Sequence, residues 1–364
     1  MLVAACALGF FLSAALAVLL VVTARFHLSA TSDPTVGAQK LHTVPTPRIG
    51  GLGLCLALWA GAALLSPDIF PVELVFLACA MPVFLLGLAE DLTGALPVAF
   101  RFAATICAGV LFSMVTGFAV TSVGLPGVDA VLATTLGAAL FTAFAMAGIV
   151  NAVNIIDGCN GLASGTMILM SLSVALVAWR VGDMPLAGTA MLLASVLLGF
   201  LIVNFPFGRL FLGDGGAYLA GFLVGAMCVA LPARNADLSP WLSLLILAYP
   251  VTETLLSALR RMLVRGGRPG QPDRRHMHSL VYRRFGRRVG EQLQDGRLGN
   301  AAAGGLMWVW PMLTFLWAAL GPLTTAWAVS GLALFAAAYL IAYFRIIRHW
   351  RQRRAGAFSA VPAE

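Results

Sequence analysis

The chain has 364 residues, of which 60% are hydrophobic and only 10% charged, with a mean hydropathy of +0.92. Soluble domains carry about 45–50% apolar and about 25% charged residues, so this composition excludes a water-soluble globule. The net charge of +8 comes from basic residues clustered beside apolar stretches, which suits anionic lipid heads and phosphorylated substrates and argues against nucleic acid.

Apolar runs between polar breaks predict eleven membrane-spanning helices, near 2–22, 49–66, 72–89, 98–118, 130–150, 162–179, 185–203, 216–232, 240–259, 300–320 and 323–345. Most approach the ~20 residues needed to cross a hydrocarbon core of about 30 Å. The first has no basic n-region and no small-residue cleavage site, and reads as a span rather than a signal peptide. Cys6, Cys55, Cys79, Cys107 and Cys228 fall inside apolar runs and Cys159 in a polar loop, with no CxxC pair, which excludes a disulfide framework and a zinc cluster. The expected fold class is an all-α polytopic membrane protein. One membrane domain covers 1–350, and a basic tail, 351–364, is expected to be disordered.

Loops rich in Lys and Arg stay in the cytoplasm. With the N-terminus outside, 21 of the 23 basic residues fall in inside segments, leaving Arg180 and Arg234 outside. Eleven spans then put the C-terminus in the cytoplasm, and every long loop (23–48, 90–97, 151–161, 204–215 and 260–299) on the inside.

Those five loops carry residues a plain connector does not need. In the first, Lys40, His42 and Arg48 stand around Pro45 and Pro47 before Gly50-Gly51, and read as a shaped phosphate-facing segment. The second opens with Glu90-Asp91, two adjacent carboxylates at a helix end that repel each other unless they share a cation or a proton. In the third, Asn151, Asn154 and Asp157 recur on one helical face before Gly158-Cys159-Asn160-Gly161. Interhelical amide bonding explains Asn151 and a helix stop explains Gly158, but neither accounts for Asp157. The fourth runs from Asn204 through Arg209 to Gly213-Asp214-Gly215-Gly216. Asp among glycines is commonly a turn residue. Four carboxylates on one side, Glu90, Asp91, Asp157 and Asp214, nevertheless suggest a metal and phosphate site. The fifth and most basic contains Pro272-Asp273-Arg274-Arg275-His276-Met277-His278, whose two histidines are read as phosphate ligands. Near the inner end of the ninth span, Glu253 needs a partner, expected to be a Lys or Arg of the inside loops.

Taken together, Asn154-x-x-Asp157-Gly-x-x-Gly, Gly213-Asp214-x-Gly and Pro272-Asp273-x-x-His276-x-His278 resemble the polyprenyl-phosphate N-acetylhexosamine-1-phosphate transferases, the MraY and WecA family, over residues 40–285. The resemblance implies transfer of a hexosamine 1-phosphate from a UDP-activated amino sugar to undecaprenyl phosphate, with release of UMP. It implies Mg2+, for which Mn2+ could substitute, held by Asp214 with Asn154, and catalytic roles for Lys40, Glu90, Asp91 and Asp157. Arg48, His42, Asn160, Asn204, His276 and His278 would bind phosphate or nucleotide, the cations as fixed positive charge. The setting implied is a bacterial inner membrane with the site facing the cytoplasm, and a homodimer is compatible with it. Two departures from the family pattern, Glu90 for the first acid of an Asp pair and Asn160 for a second Asp, suggest an O-antigen or capsule initiator rather than the peptidoglycan enzyme. A transporter of sugar nucleotides or lipid-linked sugars is the alternative, but it predicts an inverted repeat that the sequence lacks.

Overall fold

Helices account for most of the described residues in a computed structural model that describes residues 1–33, 45–263 and 275–358, with side chains described to residue 348. Their order is α1 (Leu2–Val22), α2 (Ala24–Thr31), α3 (Gly50–Ala62), α4 (Phe70–Thr93), α5 (Val98–Thr116), α6 (Pro126–Leu132), α7 (Thr135–Ile156), α8 (Leu162–Arg180) and α9 (Met184–Asn204). They continue with α10 (Gly213–Arg234), α11 (Pro240–Ile246), α12 (Ala248–Leu263), α13 (Met277–Val281), α14 (Arg287–Leu293), α15 (Gly296–Met307), α16 (Val309–Leu320) and α17 (Thr325–Phe358). Two-residue strands, β1 (Ser32–Asp33) and β2 (Thr46–Pro47), pair antiparallel where the chain enters α3.

Among the described residues nine helical segments are long and apolar enough to cross a membrane, or ten if α11 and α12, bent by 78°, count as one broken span. The expected eleven is therefore not reached, although each predicted apolar run is helical. The difference lies in α3, whose 13 residues reach only about 20 Å at 1.5 Å per residue, short of the ~30 Å core. Several expected loops are also partly helix. Asn151 to Ile156 complete α7, Glu90 to Thr93 complete α4, and residues 277–299 hold α13, a π-turn, α14 and the start of α15. The tail expected from residue 351 begins as a continuation of α17 to Phe358.

The central post is α10, nearly every residue of which is buried from Gly213 to Leu231. Helices α4 and α7 pack along it, α5 along α7, and α1 and α8 along α9. Lipid offers apolar side chains no contrast, so close packing through small residues drives helix association in a membrane. Gly87 of α4 shows it: a Cβ there would lie 2.6 Å from the backbone of Asp214. The same close approach brings Gly51 of α3 against Gly216. At the far end of the bundle Arg234 forks onto Asp183 with N–O distances of 2.7 and 2.8 Å, tying the end of α10 to the start of α9.

Candidate active site

The glycine contacts fix where α10 begins relative to α4, and the first feature they create is a cap. Gly213 turns the chain with φ +75°, and the N–H groups of Asp214 and Gly215 then point at Asp91, 2.8 and 2.9 Å from its two oxygens. A helix leaves its first N–H groups without partners, and a carboxylate there is favoured by both hydrogen bonding and the helix dipole. Arg48 Nε donates to Asp91 Oδ1 as well, at 3.0 Å. The Asp91 side chain is 1% exposed with all three donors in place, so its carboxylate is committed to holding α3, α4 and α10 together.

Its neighbours face the open side. Arg101, in the first turn of α5, lies 3.7 Å from Glu90 Oε1 and donates closely to Asp214 Oδ2, while Arg48 Nη2 stands 4.0 Å from Asp214 Oδ1. Glu90 Oε2 accepts the Leu96 N–H at 2.8 Å. Two carboxylates and two guanidiniums thus alternate around one point. Arg101 entered the sequence reading only as a topology marker; a charge in the first turn of an otherwise apolar helix is the signal that it does more.

Asp157 reaches the same level by helix arithmetic. Gly221 of α10 packs on Val150 of α7, and Asp214 and Asp157 lie seven residues from that contact toward the same end, roughly 10 Å along each axis. Asn154 is half-buried one turn earlier on α7. Among the described contacts, Asp214 is joined to Glu90 through Arg101.

Asn160 and Asn204 lie at the turn between α7 and α8. Asn160 is buried, its N–H donates to Asn300 Oδ1 at 2.7 Å and its amide to the Pro206 carbonyl at 2.9 Å. Asn204, also buried, accepts from the Gly161 N–H at 2.6 Å and donates to the Leu210 carbonyl at 2.7 Å. Both amides shape the turn between α7 and α8, the role buried amides take when backbone groups need partners. Asn300, which completes that turn from α15, was not visible in the sequence as a site residue. Lys40 and His42 lie outside the described residues.

Beside the turn stand the two histidines. His278 is buried, with its ring against Gly158 so closely that a Cβ there would collide, and it is parallel to His276 at 5.5 Å between centroids. Burial pushes the His278 imidazole down to about 4, with Glu253 opposing that shift and His276 and Arg283 adding to it. It is therefore neutral near pH 7, which corrects the expectation that both histidines supply fixed positive charge. Glu253 is also a correction: its partners are His276 and Tyr339 rather than a Lys or Arg.

The His278 shift sets a pH dependence of stability. An imidazole at about 4 when folded and roughly 6.5 when unfolded means the unfolded chain binds the proton first as pH falls, so stability is full above 6.5 and lost down to 4, by the order of 3 kcal/mol. The thermal midpoint in detergent should fall between pH 7 and 5, and His278→Gln should flatten that part of the profile. An identical slope in the variant would refute the assignment.

Between α7, α10 and the bent α11–α12 pair lies an apolar cavity of about 500 Å³, lined by Phe144, Ile149, Val229, Trp241 and Leu247 among others. Ala152 and Thr254, at the end that approaches Asn154 and Glu253, complete its wall.

The profile of glycosyl transferase family 4 matches residues 73–232, the stretch from α4 to α10 that builds this arrangement. The decaprenyl-phosphate N-acetylglucosaminephosphotransferase of Mycolicibacterium smegmatis is 33% identical over 271 residues, covering 66% of this chain and 66% of that protein. The Mycobacterium leprae protein of the same name is 32% identical over 66% of this chain and 67% of its own length. The chain belongs to glycosyl transferase family 4. A further member, the undecaprenyl-phosphate alpha-N-acetylglucosaminyl 1-phosphate transferase of Thermotoga maritima, is 29% identical over 69% of this chain and 72% of that protein. The matches thus span about two thirds of the relatives' length. Among the family 4 residues 73–232, Glu90, Asp91, Arg101, Asp157 and Asp214 all fall inside the matched stretch, whereas the histidines do not.

A divalent ion at this site would draw on few protein donors. Mg2+ takes one or two protein carboxylates and completes its shell with water and substrate phosphate oxygens. Asp214 and Glu90, which meet at Arg101, are two such carboxylates, and no group of three or more His, Cys, Asp or Glu side chains able to hold a metal occurs among the described residues.

Proposed function

We propose that this protein transfers N-acetylhexosamine 1-phosphate from a UDP-sugar to a polyprenyl phosphate in the membrane, releasing UMP and starting a lipid-linked envelope glycan. The observation that carries the reading is the alternation of Glu90, Arg101, Asp214 and Arg48 at one end of the bundle, with a separate apolar cavity between α7, α10 and the α11–α12 pair. Support also comes from the names of the relatives, which pair a polyprenyl phosphate with N-acetylglucosamine phosphate.

An anionic acceptor and a diphosphate donor repel, and guanidiniums with fixed geometry offset that repulsion while matching phosphate oxygens two at a time. Arg48 is held by Asp91 and Arg101 by Glu90 and Asp214, so neither needs to reorganise when phosphate arrives. In the transfer, an oxygen of the lipid phosphate bonds the sugar-bearing phosphorus, the bond from that phosphorus to the bridging oxygen breaks, and UMP leaves with the electron pair. Glu90 Oε1 receives the proton if the lipid phosphate arrives monoprotonated; Asp91 is occupied as a cap. Mg2+, were it held by Asp214, would supply charge neutralisation on the diphosphate. The apolar cavity takes the first isoprene units of the acceptor, which leaves its phosphate at the Ala152 and Thr254 end.

The experiment is release of UMP by the purified protein given UDP-N-acetylglucosamine and undecaprenyl phosphate, with UDP-N-acetylgalactosamine alongside. UMP should appear only with the lipid acceptor present, and narrowing the cavity with Phe144→Trp should raise the acceptor KM severalfold without changing the donor KM. UMP release independent of the acceptor would reject the transfer.

A further inference from the structure

We infer that the last helix, α17, is part of the transfer machinery: Tyr339 acting through Glu253, with Tyr343 one turn on, positions the His276–His278 segment against Gly158. The inference rests on the transferase reading for what the segment does, but not for how it is held. Neither tyrosine lies in the stretch that the family profile matches.

Glu253, on α12, is 2% exposed. A carboxylate so buried is costly unless its oxygens are filled, and here three donors fill them. His276 Nδ1 donates to Oε1 at 2.9 Å, the Met277 N–H donates to the same oxygen at 3.0 Å, and the Tyr339 hydroxyl donates closely to Oε2. The bond at Nδ1 sets the tautomer and rotation of the His276 ring, the usual work of a carboxylate behind a functional imidazole. His278 lies parallel to that ring within 3°, with its Nε2 edge on Gly158. Rotating His276 therefore displaces His278, and with it the edge that meets the Asp157–Gly158 turn.

Tyr343 adds a second hold on the same face of α17. Its hydroxyl donates to the Arg275 carbonyl at 3.2 Å and accepts closely from Arg260. Arg260 and Arg275 flank residues 264–274, so the same helix face that supports Glu253 also gathers the two ends of the basic loop. Both tyrosines, Tyr339 and Tyr343, are buried, and a Tyr in a membrane helix whose hydroxyl is satisfied by a carboxylate of another helix does more than pack.

The test uses the full chain in nanodiscs, with Tyr339→Phe, Glu253→Gln and, as a lipid-facing control on the same helix, Phe344→Leu; Phe344 is 59% exposed. Two readouts are taken on equal amounts of monodisperse protein: kcat and both KM values for UMP release, and the rate at which diethylpyrocarbonate modifies His276 and His278, read by peptide mass. Tyr339→Phe should lower kcat about tenfold and Glu253→Gln about a hundredfold, each with donor KM within about threefold of wild type, and both should raise the modification rate severalfold. The control should match wild type in both. Unchanged kcat and unchanged modification in Tyr339→Phe would overturn the proposal, as would a loss confined to the yield of folded protein. Should Glu253→Gln fail to fold, Tyr339→Phe, which removes one hydroxyl, carries the test alone. If wild type shows no transfer, the functional reading fails, and the modification rates still decide the positioning.

Discussion

Asp214→Asn is expected to reduce transfer by about 10³-fold or more while leaving a folded protein. Asp214 is the first-turn carboxylate of the central helix, its oxygens shared between Arg101 and Arg48, and its backbone N–H is the group that caps onto Asp91. The substitution keeps that N–H, the packing of Gly87 on the backbone, and the volume of the side chain. It removes a charge that orients two guanidiniums and, on the proposed reading, anchors a divalent ion; loss of one preorganised electrostatic contact alone costs about 10²–10³ in turnover, and loss of metal binding adds to it. The measurement is transfer of radiolabelled sugar phosphate to lipid at saturating substrate, with Mg2+ titrated. Near-normal turnover in Asp214→Asn would reject the assignment of Asp214, and recovery at high Mg2+ would identify the lost step as metal affinity.

Much of this site could be read before any coordinates, for a physical reason. A polar residue in a 60% hydrophobic chain is expensive, so each one that persists at a helix end marks a partner. That logic selected Glu90, Asp91, Asp157 and Asp214, and the structure brings Glu90, Asp91 and Asp214 into one cluster. It could not separate roles within the cluster, because adjacency in sequence says nothing about which oxygen meets a backbone N–H from another helix. Asn160 and Asn204 show the same limit: an amide that binds a ligand and one that closes a turn look alike until the carbonyls of Pro206 and Leu210 are in view. Arg101 and Tyr339 were missed for the opposite reason. Each has an adequate local explanation, as a topology marker and as an aromatic in an apolar helix, and only the tertiary contact with Asp214 or Glu253 displaces it. The span count went astray where length and packing diverge, since α3 is apolar throughout yet too short to cross alone.

The adjacent pair Glu90-Asp91 gives the sharpest separation of structure from chemistry. Asp91→Asn places an amide where two helix N–H groups and Arg48 Nε all donate; one of its ends is itself a donor, so at least one buried N–H is left facing another. A frustrated buried polar group of this kind costs about 2–4 kcal/mol, and the start of α10 is displaced with it. Asp91→Asn should therefore lower the thermal midpoint by several degrees, and lose activity as a consequence of moving Asp214. Glu90→Gln costs less: its side chain still accepts the Leu96 N–H, it is 12% exposed against 1% for Asp91, and Arg101 keeps Asp214. It should melt closer to wild type than Asp91→Asn and lose about 10²–10⁴ in kcat, the range for removing a general base. Melting curves and kcat measured on the two variants in parallel decide the matter. A stable, inactive Asp91→Asn beside a fully active Glu90→Gln would exchange their roles, making Asp91 the group that takes the proton and reducing Glu90 to a loop anchor.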